Sequence, residues 1–396
     1  MPIPTGVGAE ELRRANLRAI LQTVHTHGPT TRAVLTKQLR LNRSTIGALT
    51  GELQSLGLVT EQASAVAGRS GRPSHLVVPQ SDNVVVAVDV GVDRIAVAVV
   101  CLGGEVLAHR FRGHQRGQHD VAHVVESVAR MVEDVLAVAP PRTRCLGIGV
   151  AVPGAVRARD GMVRSAPNLG WVDEPFSELL GERLGRAVSV GNDANLGVVA
   201  EHMRGAAVGY TEVAYLNASV GIGGGFLVGG VPLTGASGYA GEVGHMQVDS
   251  VGPGCRCGAI GCWETKVGEN VLLQHAGRQP GGGPPAVAEV IAAARAGEER
   301  AARSVEEVAD WCGVGLQAIV NLFNPEIIVL AGSLSQVWVA AQTRVTRSME
   351  RSALVSPHGE ILICAAGLGE DSPLMGAAEL AFAPVLDDPQ GVPQAV

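Results

Sequence analysis

Between Gly235 and Glu264 the chain reads G-A-S-G-Y-A-G-E-V-G-H-M-Q-V-D-S-V-G-P-G-C-R-C-G-A-I-G-C-W-E. Three of the seven cysteines, Cys255, Cys257 and Cys262, fall within eight residues and follow closely on His245. One imidazole and three thiols make a closed tetrahedral set for a structural Zn²⁺. Gly252, Gly254, Gly258 and Gly261 supply the turns that let three thiolates converge. Two other readings compete: a glycine-rich loop with incidental cysteines, and a disulfide. The clustering speaks against the first. Cys255 and Cys257 are too close to pair comfortably with each other, and nothing else marks the chain as secreted. Glu242 precedes His245 by three residues and Glu264 follows Cys262 by two. An ion that pins this loop therefore also fixes two carboxylates, which can hold a polar ligand without regular secondary structure.

A chain of 396 residues is longer than one core normally carries, so two or three domains are expected. Aromatic residues make up only 3%, so the core must be built from Val, Ala, Leu and Ile. Net charge is −7 but uneven: residues 1–79 hold nine basic and four acidic side chains, and the remainder holds 22 and 34. A basic head on an acidic body points to nucleic acid as the partner of the head. The N-terminal stretch M-P-I-P-T-G-V-G lacks the pattern of a signal peptide, and no apolar run is long and unbroken enough to span a bilayer. A cytoplasmic location with no membrane partner is the expectation.

Residues 10–26 read as an amphipathic helix with Leu12, Ala15, Ala19 and Val24 near one face. A shorter helix spans Thr31 to Leu39, and Asn42 can cap a third that runs to about Leu56. A flexible stretch and a strand, S-H-L-V-V, follow. Three helices and a two-stranded ribbon make a winged helix-turn-helix. Its third helix would enter the major groove with Arg43, Ser44 and Thr45 leading, and Arg69 and Arg72 at the wing tip suit a minor groove. A three-helix interaction module with solvated arginines is the competing reading.

From Val84 the pattern changes to strand, glycine turn, strand, strand, then a helix over His119–Ala139 and a buried strand, C-L-G-I-G-V-A-V. V-A-Y-L-N-A-S-V-G-I-G-G-G-F-L-V-G-G repeats the opening. Each lobe of the actin-like sugar kinase and ATPase fold begins this way. The expected architecture is a mixed α/β chain: a winged helix-turn-helix over 1–79, then a two-lobed actin-like (ribonuclease H-like) body. One lobe covers 80–197 with 366–386, the other covers 198–365 with the metal loop, and a disordered tail covers 387–396. Residues 277–285, rich in Gly and Pro, read as a flexible loop.

G-E-V-G-H followed by C-R-C-G-A-I-G-C-W-E resembles the zinc motif of the ROK family of repressors, open reading frames and kinases. The head is similar to that of ROK repressors as far as the wing G-R-S-G-R-P. V-P-G at 152–154, A-P-N-L-G-W at 166–171 and G-N-D-A-N at 191–195 come in the family's order. The resemblance implies that Asn168, Asn192, Asp193, Glu242, His245 and Glu264 surround one sugar or sugar phosphate. It implies that His245, Cys255, Cys257 and Cys262 hold zinc, and that a homodimer or homotetramer binds operator DNA. Asp193 would be the general base if kinase activity survived.

The nucleotide side departs from the family pattern. The expected D-x-G-G-T reads D-V-G-V-D from Asp89, so Val92 and Asp93 replace a glycine and a threonine. A β-branched side chain closes a turn that phosphate must approach, and a carboxylate repels it. The second loop reads S-V-G-I-G-G-G from Ser219, and the expected G-G after Leu330 reads A-G. The expectation is a sugar-responsive regulator without phosphorylation. An active kinase with a DNA-binding head and a scaffold that binds DNA constitutively are the rivals.

Overall fold

The computed structural model describes residues 8–63, 75–113, 120–350 and 361–392. The head contains α1 (Ala9–His27), β1 (Thr30–Thr31), α2 (Arg32–Leu39), α3 (Arg43–Ser55), β2 (Val59–Ala63) and β3 (His75–Pro79). Asn42 caps α3 as expected, its Oδ1 accepting from the Thr45 amide at 2.8 Å. Two details differ from expectation. Leu17, Ile20, Leu21 and Val24 form the buried stripe of α1, while Leu12 is 57% exposed and Ala15 lies in solvent. The i, i+3, i+4, i+7 stripe starting at Leu17 is the one that meets the core. The ribbon also has three strands, because Thr30 and Thr31 pair with β3 in the order β1-β3-β2. Arg69 and Arg72 lie outside the described residues.

The body opens with β4 (Asn83–Val90), β5 (Arg94–Cys101), β6 (Val106–Gly113), α4 (Val121–Ala137) and β7 (Arg144–Val152). A small antiparallel sheet of β8 (Ala155–Val156), β9 (Val163–Ala166) and β10 (Trp171–Glu174) follows, then α5 (Phe176–Leu184), β11 (Val188–Asn192) and α6 (Asp193–Arg204). The rest comprises β12 (Val213–Ala218), β13 (Ile222–Val228), β14 (Val231–Pro232), α7 (Glu264–Val267), α8 (Glu269–His275), α9 (Gly283–Arg295), α10 (Glu299–Phe323), β15 (Ile327–Ala331), α11 (Gly332–Glu350), β16 (Leu362–Ala365) and α12 (Ser372–Asp387).

The two large sheets share one topology. Their orders are β6-β5-β4-β7-β11 and β14-β13-β12-β15-β16. In each, three antiparallel strands are followed by two that run parallel to the first. The repeated strand–turn–strand pattern is thus a duplicated actin-like lobe. The expected boundary at 197 cuts through α6, which packs against both α12 and β13. The expected loop at 277–285 ends early, since α9 starts at Gly283 with prolines in its first turn, where no amide donor is missed.

Head and first lobe are fused by packing. Leu17, Ile20, Leu35 and Ile46 belong to the same apolar cluster as Val85, Ala98, Leu374 and Phe382. The tail expected to be disordered from 387 is part of this junction as far as Val392. A 3₁₀ turn at Pro389–Gly391 follows α12, Val392 is buried, and Gln390 donates to Glu52 at 2.7 Å. Its polar composition hid an apolar anchor. Among the described residues, no helix is long and apolar enough to cross a membrane.

Candidate functional site

The metal loop leaves β14, passes through a 3₁₀ turn at Val243–His245 and closes as a tight knuckle. The Cys255 amide donates to Ala259 O at 2.7 Å, and the Gly258 amide to Cys255 O at 3.0 Å. Gly261 has φ +67, and a Cβ there would meet the Asp249 carbonyl. The donor atoms of His245, Cys255, Cys257 and Cys262 all lie within 4.8 Å of one another. Cys257 Sγ and Cys262 Sγ are 3.7 Å apart, as are Cys255 Sγ and His245 Nδ1. Zinc–thiolate bonds of about 2.3 Å in a tetrahedron put neighbouring donors about 3.8 Å apart, so the cluster fits a tetrahedral ion. The cysteines are free thiols, so the disulfide reading fails. Trp263 anchors the loop: it is fully buried, and its Nε1 donates to Trp311 O at 2.9 Å.

Against this loop lies a narrow cleft, open to solvent. All six candidate sugar residues, Asn168, Asn192, Asp193, Glu242, His245 and Glu264, line it. They arrive from the β9–β10 turn, the β11–α6 junction, the metal loop and α7. Asn192, not Asp193, caps α6: its Oδ1 accepts from the Asn195 amide at 2.9 Å, and its Nδ2 donates to Gly154 O at 2.9 Å. This leaves the Asp193 carboxylate in the cleft with one oxygen held by the Ala194 amide at 2.8 Å. Burial pushes the Asp193 carboxyl up to about 6. Asn217 and Ser219 also line the cleft; Ser219 is read from the sequence only as the start of the second nucleotide loop, and no motif singles out Asn217.

A second cavity, about 580 Å³, adjoins the first and shares Val92, Asp193, Asn217 and Ser219 with it. The altered turns line it. Val92 is buried and joins the apolar core of the first lobe, and Asp93 faces the cavity alongside Asp89, Glu269 and Glu370. Burial, helped by Asp193 and opposed by Arg94, pushes the Asp89 carboxyl up to about 7. Arg94 is the one Lys or Arg among the described lining residues, and it is bonded to the Glu370 carboxylate and, at 3.1 Å, to Glu370 O. The triple glycine also packs: a Cβ on Gly225 would meet Ala194 O of α6 at 2.2 Å.

At the head, Arg43 and Ser44 are exposed in the first turn of α3, and Thr45 is half-buried. Sequence reasoning missed the junction between head and body. His25 of α1, Arg204 of α6 and Glu379 of α12 meet there with no aqueous exposure of the imidazole. A lone histidine among apolar residues gave no signal for this.

A winged head docked on a two-lobed, duplicated body with a polar cleft defines a DNA-binding regulator built on a sugar-kinase fold. The ROK family model matches residues 85–383, and the chain belongs to that family. It is 26% identical to the xylose repressor of Caldicellulosiruptor bescii over 392 residues, covering 96% of this chain and 98% of that one. It is 31% identical to the glucokinase of Streptomyces coelicolor, over 76% of this chain and 98% of the kinase. The crystal structure of a ROK-family transcriptional regulator, a homologue of the E. coli MLC protein, superposes with a TM-score of 0.77 at 23% identity, over 95% of this chain and 97% of that one. The repressors match from end to end, whereas the kinase leaves about a quarter of this chain uncovered.

Proposed function

We propose that this protein is a cytoplasmic, sugar-responsive repressor. It binds operator DNA through Arg43, Ser44 and Thr45, with Arg69 and Arg72 at the wing, as an even-numbered homo-oligomer on a near-palindromic site. A neutral sugar or sugar phosphate sits in the cleft. The observation that carries this reading is that six side chains able to read hydroxyls line one cleft, while the adjoining turns are filled by Val92 and given a carboxylate by Asp93. Sugar hydroxyls donate and accept at once, so amides and carboxylates read them in pairs. Phosphoryl transfer instead depends on positioning phosphates and neutralising their charge. Among the described residues, the one cation lining the neighbouring cavity is engaged with Glu370.

His245, Cys255, Cys257 and Cys262 fit Zn²⁺, which when bound supplies a closed structural anchor with no open coordination position. The chain's own contribution is the placement of Glu242, His245 and Glu264 around the cleft. Asp193 accepts a hydroxyl hydrogen bond there.

The route to the head is α6. It opens with Asp193 in the cleft and ends with Arg204, whose guanidinium donates to His25 O at 3.2 Å and to Glu379 at 2.8 Å. A 12-residue helix spans about 18 Å as a rigid rod. Closure of the lobes on a sugar therefore moves the seat of the head and shifts the spacing of paired heads.

The test has two arms. Calorimetry with D-xylose and D-glucose should give saturable binding that Asp193→Asn weakens, with operator affinity in the absence of sugar unchanged. Incubation with Mg²⁺-ATP and the same sugars should yield no sugar phosphate. Turnover near 1 s⁻¹, an ordinary enzyme rate (about 1–10³ s⁻¹), that Asp193→Asn abolished would favour the kinase instead. That rival has support in the retained Asp193 and its raised pKa.

A further inference from the structure

Arg256 stands at the tip of the metal knuckle, between two of the metal-binding thiols. Its side chain is exposed, and its Nη1 donates to Oδ1 of Asn168 at 2.9 Å. Asn168 belongs to the turn between β9 and β10, across the cleft from the loop that carries Arg256. An exposed bond of this kind contributes little to stability. Its consequence lies in the direction it gives the amide.

A guanidinium is a donor only, so it holds the oxygen of the amide and leaves the NH₂ as the other end. That NH₂ is turned toward the cleft beside Glu264. A methyl placed on Gly221 would lie 2.9 Å from Asn168 Nδ2 and 2.8 Å from Glu264 Oε2. A donor and an acceptor thus flank one small volume, and a hydroxyl entering it can accept from the first and donate to the second. With the amide rotated by half a turn, two acceptors would flank that volume. One of them would then be left without a partner.

We propose that Arg256 is a positioning residue that sets the hydrogen-bonding sense of Asn168, and with it the cleft's preference for a ligand bearing a hydroxyl between Asn168 and Glu264. This rests on the reading of the cleft as a sugar site. It ties the metal to ligand choice, because the knuckle that the thiols shape is also what carries the guanidinium across the cleft.

The experiment is calorimetry on the full-length protein as purified, with D-xylose, D-glucose and their monodeoxy analogues. For the sugar bound best by wild type, Arg256→Ala should weaken binding about tenfold, the cost of one lost hydrogen bond. It should also erase a similar factor of discrimination against the deoxy analogue that wild type rejects most. Arg256→Lys, which still donates to Oδ1, should restore most of both. Asn168→Asp, which keeps the partner of Arg256 but has no NH₂, should lose the same discrimination. The double variant Arg256→Ala/Asn168→Asp should lose no more than Asn168→Asp alone. Metal content by elemental analysis should match wild type throughout. Unchanged discrimination in Arg256→Ala, additive losses in the double variant, or loss of metal together with binding would each overturn the positioning role while leaving the sugar site standing. Wild type that binds none of these sugars would remove the sugar reading, and this inference with it.

Discussion

His25 Nε2 lies 2.8 Å from Glu379 Oε2, with the imidazole wholly buried and the carboxylate nearly so. The other ring nitrogen accepts from the Gly103 amide at 3.1 Å, and Arg204 Nη2 lies 2.8 Å from the same Nε2. Arg204 donates to the second oxygen of Glu379 at 2.8 Å and to Gly103 O at 2.9 Å. One residue from the head and two from body helices thus satisfy one another in a closed space, capped by the edge of Phe382 5.0 Å from the His25 ring.

Glu379→Ala should therefore be among the most destabilising single changes at the junction. It removes the counter-charge of an Arg204 that is only 13% exposed. Breaking a buried pair from one side costs about 3–5 kcal/mol. Chemical denaturation should show that loss, and hydrogen exchange should speed up in α1. Burial raises the Glu379 carboxyl, but His25 and Arg204 outweigh it and hold it below its ordinary value. A depressed carboxyl stabilises the fold above its unfolded pKa, and that stability is lost as pH falls through the lower folded value. The gap between wild type and Glu379→Ala should accordingly narrow in acid. A loss under about 1 kcal/mol at neutral pH, the size of a surface substitution, would refute the closed triad.

Asp193 carries the opposite sign. Burial lifts its carboxyl from 3.8 to about 6. Between those values the folded chain holds a proton that the unfolded chain has released, so stability falls as pH rises through the window and the cost stays constant above it. Asp193→Asn removes a cost on the order of 1–2 kcal/mol at pH 8, allowing for the partial exposure of the side chain. The variant should melt higher than wild type at pH 8 and level with it near pH 4. Equal melting at both values would mean that the cleft solvates Asp193 freely.

Much of this was legible in the chain because it is local. Asn42 before an apolar-periodic run announces a capped α3, and three cysteines within eight residues announce a His/Cys cluster that could hold a metal. The duplicated strand–turn–strand openings announce two lobes because each begins with the same three-strand meander. What the sequence hid is long-range. His25, Arg204 and Glu379 are 175 to 354 residues apart and obey no spacing rule. Val392 looks like tail, and only the fused core explains its burial. The glycines at 223–225 read as a phosphate loop, yet Gly225 also makes room for the backbone of α6.

Cys257→Ser tests the metal loop at its exposed thiol. Three remaining ligands hold zinc weakly, and metal affinity here is local folding energy. Elemental analysis should fall from about one zinc per chain to near none, and sugar affinity should drop because Glu264 follows two residues after Cys262. The fold of the lobes should survive, since Trp263 is anchored separately on α10. Full sugar affinity in a zinc-free variant would separate the loop from the cleft.

Arg43 tests the DNA face. It is the first residue of α3 and is exposed, so Arg43→Ala should leave the melting temperature unchanged. Operator affinity should fall by about 1–3 kcal/mol if the guanidinium meets a base edge, with discrimination at that position relaxed. Were it a phosphate contact instead, binding would weaken evenly across sequences and the salt slope would fall by about one. Asn42→Ala is the contrasting variant. It removes the bonds to the Thr45 amide and the Ser44 hydroxyl, so it should cost about 1 kcal/mol of stability and disturb the whole leading turn. Fluorescence anisotropy with a near-palindromic operator at several salt concentrations separates the three outcomes. Wild-type affinity in Arg43→Ala at every salt concentration would show that the leading turn of α3 does not read DNA.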